Sequence, residues 1–368
     1  MRLAQSAEQE QFAAALHDML TAADVPGAAR RWAAGDRSPG LAIWRGLAGL
    51  GVTALAVPEK RGGLGASPVD LVVACEELGH HALPGPVAES VAAVPGLLTV
   101  LIDQELDDQA PDDQAPDDQR PGDQRLGGER PGNEDLCARW LSGLAAGDLI
   151  AALALPPRLP YAADADAAGL VLLVEGDVAA LAVAGARHQS LDPTRSLFEA
   201  RGDQVLARGP AVADAATRAL NLGTLASAAQ LLGAGRALLE ASVRHAGQRV
   251  QFGQPVGAFQ AVKHHLADVA IGLEFARPLL DAAAVAVAAG STTVPRDVSA
   301  AKVACADAAH RAARVALQVH GAIGYTQEHD LSLWLTKVRA LIPAWGSQAE
   351  HRAVVMAALT GDGEAPCP

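Results

Sequence analysis

The chain has 368 residues, 50% of them apolar and only 3% aromatic, which is enough for two or three domains around an Ala-, Leu- and Val-rich core. Its formal charge of −13 is unevenly spread: residues 103–135 hold 12 acids against 3 bases, a net of −9, leaving −4 for everything else. With no basic stripe for nucleic acid, no unbroken apolar run to span a bilayer and no signal-peptide core at the N-terminus, a cytoplasmic protein without nucleic-acid or membrane partners is expected.

Residues 5–34 place Phe12, Leu16, Leu20 and Ala23 at helical spacing. Residues 41–57 suggest a second helix ending near Gly51, then a short extended piece, TALAVPEK, stopped by Pro58 and a turn rich in Gly62, Gly63 and Gly65. Ser67 is placed to cap a helix through SPVDLVVACEELGHH, with Pro68 at its first position and Asp70 in its first turn. PGPVAESVAAVPGLLTVLI suggests one more helix.

Residues 103–134 repeat Asp, Gln and Pro with almost nothing to bury. They are expected to be a disordered acidic insertion, cut first by limited proteolysis. From Leu149 to about Leu206 the texture changes to short apolar runs punctuated by Gly, Asp and Pro (LIAALALP, AGLVLLVEG, VAALAVAG), which suggest strands. From Val212 onward the helical period returns, with helices expected over 213–248, 259–290, 294–319, 326–342 and 348–359. Long helices joined by short turns imply an antiparallel bundle. The expected domains are therefore 1–102 (helical), 103–134 (insertion), 135–211 (β-rich) and 212–368 (helical bundle).

Two segments carry candidate chemistry. In RVQFGQPVGAFQ, Arg249 at a helix end offers a planar fork of donors suited to a pyrophosphate, Phe252 offers a ring for a planar cofactor, and Gln260 offers one hydrogen bond. In QVHGAIGYTQEHD, Gln318, His320, Gly321 and Gly324 form a turn whose glycines allow backbone amides to approach an anion. Cys75, Cys137, Cys305 and Cys367 form no C-x-x-C pair, so no disulfide or metal framework is expected. His264, His265, His320, His329 and His351 stand at no metal spacing and are taken as structural or surface residues, so no metal site is expected.

Together these segments resemble the C-terminal bundle of the acyl-CoA dehydrogenase family. The N-terminal LAGLGVTALAVPEKRGGLG and EELG, and SLDPTR at Ser190–Arg195, are similar to the same family. WGSQAEHR resembles its short actinobacterial members, some of which pair with a second subunit. The resemblance implies a mainly α fold with a small β middle domain: an N-terminal helical domain, a β-barrel-like middle domain and a C-terminal four-helix bundle.

The resemblance further implies FAD as cofactor, with Arg249, Phe252 and Gln260 reaching the FAD of a neighbouring subunit. Gln318, Gly321 and Gly324 would line its adenosine and pyrophosphate end. The implied activity is α,β-dehydrogenation of an acyl-CoA thioester in fatty-acid or steroid catabolism. Electrons would leave to an electron-transfer flavoprotein or a similar acceptor, and the assembly would be a homo- or hetero-oligomer, dimer or tetramer. The alternative is a non-catalytic subunit completing the FAD site of a heteromeric enzyme. This sequence departs from the family at its centre: the two usual positions of the catalytic glutamate correspond to Trp345 and Gly223, and the middle-domain flavin contact is reduced to LPPRLPYAAD, with Tyr161 and no Thr or Ser. No catalytic residue is assigned; Glu328, Asp330 and Glu350 remain as substitute bases, although each reads more readily as a cap or an ion pair.

Overall fold

The computed structural model describes residues 5–108, 133–326 and 328–361. The helix α1 (Ala7–Ala22) opens on a capping box between Ser6 and Gln9. The single helix expected over 5–34 is two, because Asp24 turns left-handed (φ 45°) and caps α2 (Val25–Ala33) through Gly27 N–H. After α3 (Ser38–Gly49), the expected extended piece TALAVPEK has no partner strand. It folds instead into 3-10 turns at Val52–Ala54 and Glu59–Arg61, closed on themselves by Leu64 N–H to Ala54 C=O and Ala66 N–H to Leu55 C=O.

Ser67 caps α4 (Pro68–His80) as expected, with Asp70 closing the box. A π turn at Glu89–Ala93 leads into α5 (Val94–Asp108). The acidic repeat at 109–132 lies outside the described residues, but its flanks are helical: 103–108 finish α5 and 133–134 start α6 (Asn133–Ala146). This helix packs on α5 and carries Leu136, Trp140, Leu141 and Leu144 at helical spacing, so residues 135–146 are not part of the β-rich segment.

The sheet begins at β1 (Ala151–Ala154) and continues through β2 (Ala162–Ala163), β3 (Leu170–Glu175), β4 (Val178–His188) and β5 (Leu197–Arg208). Its order is β1-β3-β4-β5-β2, with only β1–β3 parallel. The edge strands β1 and β2 approach each other, so the sheet curls toward a barrel around Ala152, Ala162, Val171, Leu173 and Phe198. No helix among the described residues is long and apolar enough to cross a membrane.

The C-terminal bundle comprises α7 (Pro210–Gln248), α8 (Gln260–Ala288), α9 (Val294–His320), α10 (Leu331–Leu341) and α11 (Gln348–Thr360). The helix α7 is buried continuously from Leu222 to Gly235 because it is covered on several sides, by α4 and α5 as well as by α8 and α9. Glycines allow the closest crossing: a Cβ at Gly79 of α4 would strike the Gln230 backbone, and one at Gly233 would strike the Glu76 carbonyl. Beside this crossing, Glu76 receives both Arg236 and Arg277, which outweigh the effect of burial and hold its carboxyl below the usual range. Gly233→Ala should therefore force α4 and α7 apart and lower the urea midpoint, at a cost of about 1–3 kcal/mol. An unchanged midpoint would show that the crossing has slack.

Candidate functional site

Arg249 ends α7 in an extended conformation, its N–H bonded to the His245 carbonyl. A short hairpin follows, β6 (Val250–Gln251) and β7 (Gln254–Pro255), with Phe252 and Gly253 both at positive φ (54° and 79°) as a two-residue turn demands. Phe252 is 92% exposed and meets Phe259 edge-on at 6.2 Å. Gln260 is the first residue of α8 and is exposed. From the other side, α9 brings Gln318 in its last turn and ends at Gly321 (φ 64°), where a Cβ would meet nothing within 4 Å. A 3-10 turn, Gly321–Tyr325, follows.

These elements enclose a cavity of about 330 Å³ that contains Arg249, Gln251, Gln318 and Gly321 alongside His245 and His320. Three of the six expected cofactor residues (Arg249, Gln318, Gly321) thus share one wall. Phe252 and Gln260 stand outside the lining, on the adjoining hairpin and helix start. Gly324 lies in a different cavity of about 420 Å³, with Leu191, Arg314, Tyr325 and Arg339. Burial first, and then neighbouring positive groups, lower the pKa values of His245 and His320, although His320 Nδ1 also bonds the Ala316 carbonyl. Arg249 makes no ion pair with any described residue, so its fork of donors is available to an anion.

The two positions expected for a base, Gly223 and Trp345, lie elsewhere in the bundle, and they meet. Gly223 is buried in α7, and Trp345 sits in the loop between α10 and α11. A Cβ at Gly223 would collide with the six-membered ring of the Trp345 indole, which is 1% exposed. The loop is held in an unusual shape, with Trp345 at φ 65° and Gly346 at φ 104°. Its anchor is the Trp345 carbonyl, which accepts from Thr224 Oγ1 (3.4 Å) and from His351 Nε2 (3.0 Å).

Because a carbonyl only accepts, His351 carries its proton on Nε2, and its Nδ1 takes the Ser299 hydroxyl at 3.1 Å. Burial, and then the Lys302 charge, push His351 down to about 4, which keeps the ring neutral. Lys302 of α9 ties α7 to the end of α10, where this loop begins, donating to Ser227 Oγ and the Leu341 carbonyl.

None of the substitute bases is directed into this contact. Glu350 closes the capping box of α11 on Ser347, Asp330 pairs with Arg30 at 2.6 Å on the surface, and Glu328 is exposed. Tyr161 packs against His188 of β4, with centroids 4.8 Å apart.

The indole on glycine predicts energetic coupling. Gly223→Ala alone should cost about 1–3 kcal/mol by overpacking, and Trp345→Ala about 3–5 kcal/mol by leaving a cavity. The double variant should be more stable than the sum implies, because the new methyl enters the vacated space. Strict additivity in urea melts would separate the two residues.

A third cavity, about 500 Å³, shares His245 and His320 with the first and adds His17, His80, His81 and His329. Spacing along the chain conceals this grouping. Its only trace in the sequence is the pair His80–His81.

Two family models match the chain: "Acyl-CoA dehydrogenase, N-terminal domain" over residues 6–104 and "Acyl-CoA dehydrogenase, C-terminal domain" over residues 213–360. The acyl-CoA dehydrogenase IpdE2 of Mycobacterium tuberculosis is 31% identical over 328 residues, which cover 85% of each chain. Among solved structures, a glutaryl-CoA dehydrogenase from Mycobacterium smegmatis in complex with FADH2 is similar at TM-score 0.75 and 18% identity, over 97% of this chain and 95% of the other. A chain of the ChsE4–ChsE5 complex from Mycobacterium tuberculosis is similar at TM-score 0.73 and 21% identity, over 98% of this chain and 99% of the other. At these identities the structural likeness establishes the fold.

Proposed function

The chain belongs to the acyl-CoA dehydrogenase family, and from that premise we infer that it is the flavin-gripping, base-less subunit of a heteromeric acyl-CoA dehydrogenase. The observation that carries this reading is the Trp345 indole seated on Gly223, which fills with an unreactive side chain the contact between the two positions where the family keeps its glutamate. Indole is a hydrogen-bond donor only and accepts no proton at neutral pH, and glycine has no side chain.

The residues present fit one end of FAD and not the other. An uncompensated Arg249, an open backbone at Gly321 and the Gln318 amide suit a pyrophosphate, and 330 Å³ accommodates a part of so large a cofactor rather than the whole. The exposed Phe252 and Gln260 stand ready to extend that grip onto a cofactor held mainly by a neighbouring chain. At the reacting end, the plugged Gly223 and the absence of Thr or Ser from residues 155–164 offer neither a base nor the family's flavin contact.

Bound FAD supplies an acceptor for the hydride that leaves the β-carbon of an acyl-CoA thioester. The matching α-proton requires a carboxylate next to a polarised thioester carbonyl. In this reading the carboxylate belongs to a partner that keeps the glutamate, while this chain binds and orients the cofactor's anionic end and keeps water out of its own bundle. Electrons leave to an electron-transfer flavoprotein or a similar acceptor. The face of α8 carrying Ile271, Phe275 and Leu279, exposed at successive four-residue intervals, is a suitable seat for the partner. The ChsE4–ChsE5 complex is an instance of this fold in a two-component assembly.

The visible spectrum tests the reading. Purified alone, the chain should carry little flavin, and co-expression with a glutamate-bearing family member should yield a yellow complex. A lone chain with stoichiometric flavin, bleached by acyl-CoA, would contradict it.

A further inference from the structure

We propose that His17, Glu77, His80 and His81 form a binding site for a divalent transition ion of the zinc type, fastening the N-terminal helix to the end of α4. The four side chains each offer one ligand atom, and these atoms lie within 4.8 Å of one another. Glu77 and His81 are four residues apart and Glu77 and His80 three, so the last turn of α4 presents all three on one face. The helix α1 packs against α4 and brings His17 to the same place.

The spacing is already near that of a bound ion. Bonds of about 2.0–2.1 Å to a tetrahedral ion put its ligand atoms about 3.3 Å apart. His17 Nδ1 lies 3.1 Å from Glu77 Oε2 and 3.2 Å from His81 Nε2. If His17 Nδ1 carries the proton, that proton must serve two acceptors; if His81 Nε2 carries it, His17 Nδ1 turns a lone pair on the Glu77 carboxylate; a cation between them would take a lone pair from each.

His80 supplies an independent observation. Its Nε2 faces Glu240 Oε2 at 3.0 Å, while its Nδ1 is buried with no hydrogen-bond partner. Orphaned buried polar atoms are uncommon, and a histidine held by a carboxylate at one nitrogen with a free lone pair at the other is the usual arrangement behind a metal ligand. Glu77 engages Arg236 through Oε1, which leaves Oε2 directed at His17.

Three imidazoles and one carboxylate favour zinc-type ions over magnesium or calcium, which prefer all-oxygen shells. With four protein ligands the site is of the closed, structural kind. It is independent of the flavin reading.

The test uses the full-length chain, stripped with a chelator and titrated with Zn²⁺ against a chromophoric competitor. One equivalent should bind more tightly than micromolar and raise the melting temperature. His17→Ala and His81→Ala should each weaken binding at least tenfold, and Glu240→Gln about ten- to a hundredfold. His264→Ala and His265→Ala, on an exposed part of α8, should leave Zn²⁺ binding unchanged. Equal binding by the His17/His81 double variant, or equal loss in the α8 controls, would overturn the site. A second measurement needs no variant: Co²⁺ added to the wild-type chain should develop the strong visible bands of a four-coordinate ion, and the faint bands of a hydrated octahedral ion alone would overturn the proposal.

Discussion

Assembled only with itself, the chain should dehydrogenate acyl-CoA at background level, and a partner bearing the family glutamate should raise turnover by about 10²–10⁴-fold, the usual worth of a positioned general base. The expectation follows from the contact between Trp345 and Gly223: neither residue can take a proton, and the indole occupies the space a carboxylate would need. The rate is read with an artificial electron acceptor, for the lone chain and for the co-purified complex. Changing the partner's glutamate to glutamine should return the complex to background. Glu328→Gln and Asp330→Asn in this chain should leave the complex's rate unchanged, since both residues are exposed and Asp330 is committed to Arg30. Glu350→Gln should leave the rate unchanged as well, since glutamine can still close the box on Ser347, and should cost only the charge at the helix start, about 0.3–1 kcal/mol. Robust turnover by the lone chain, abolished by Glu328→Gln or Glu350→Gln, would place the base in this chain after all.

Arg249→Ala should loosen FAD in the complex by about ten- to a hundredfold. A charge-assisted contact to phosphate is worth roughly 1.5–3 kcal/mol, and about 1.4 kcal/mol is a tenfold change in affinity. Arg249 is well placed to deliver that full value, because it spends none of its donors on a described carboxylate and stands on a wall with an unobstructed glycine backbone. Flavin content after exhaustive dialysis, followed by titration with added FAD, reads the effect. Arg249→Lys should recover only part of it, since an ammonium replaces the planar fork with a point charge. Unchanged occupancy in Arg249→Ala would remove this arginine from the site.

Much of the architecture was legible in the residues because the bundle helices are long and periodic. The helix expected over 294–319 is Val294–His320, and that expected over 348–359 is Gln348–Thr360. Ser67 and Asp70 announced their cap because capping is local chemistry. What was hidden depends on tertiary neighbours. TALAVPEK carries a strand-like composition but finds no strand to pair with, so local turns win. The helix Asn133–Ala146 was obscured by the acids at its start, although its Leu and Trp spacing was helical.

At the site, the motif letters named residues that would serve a cofactor, but not that Gly324 faces a different cavity from Arg249. The resemblance sets Trp345 and Gly223 at the expected glutamate positions. That the two positions plug each other was not legible, because Gly223 and Trp345 lie on segments far apart in sequence. The histidine group is concealed for the same reason, its members coming from α1 and the end of α4.

Whether this chain has a base of its own is read by α-proton exchange, which needs a base but no electron acceptor. The acyl-CoA that the complex turns over is incubated in D2O with the lone chain, with the complex, and with the complex whose partner glutamate is changed to glutamine, and deuterium at the α-carbon is followed by NMR. Wash-in is expected from the intact complex, and none above the solvent background from the other two. Wash-in by the lone chain at a rate comparable to that of the complex would contradict this expectation.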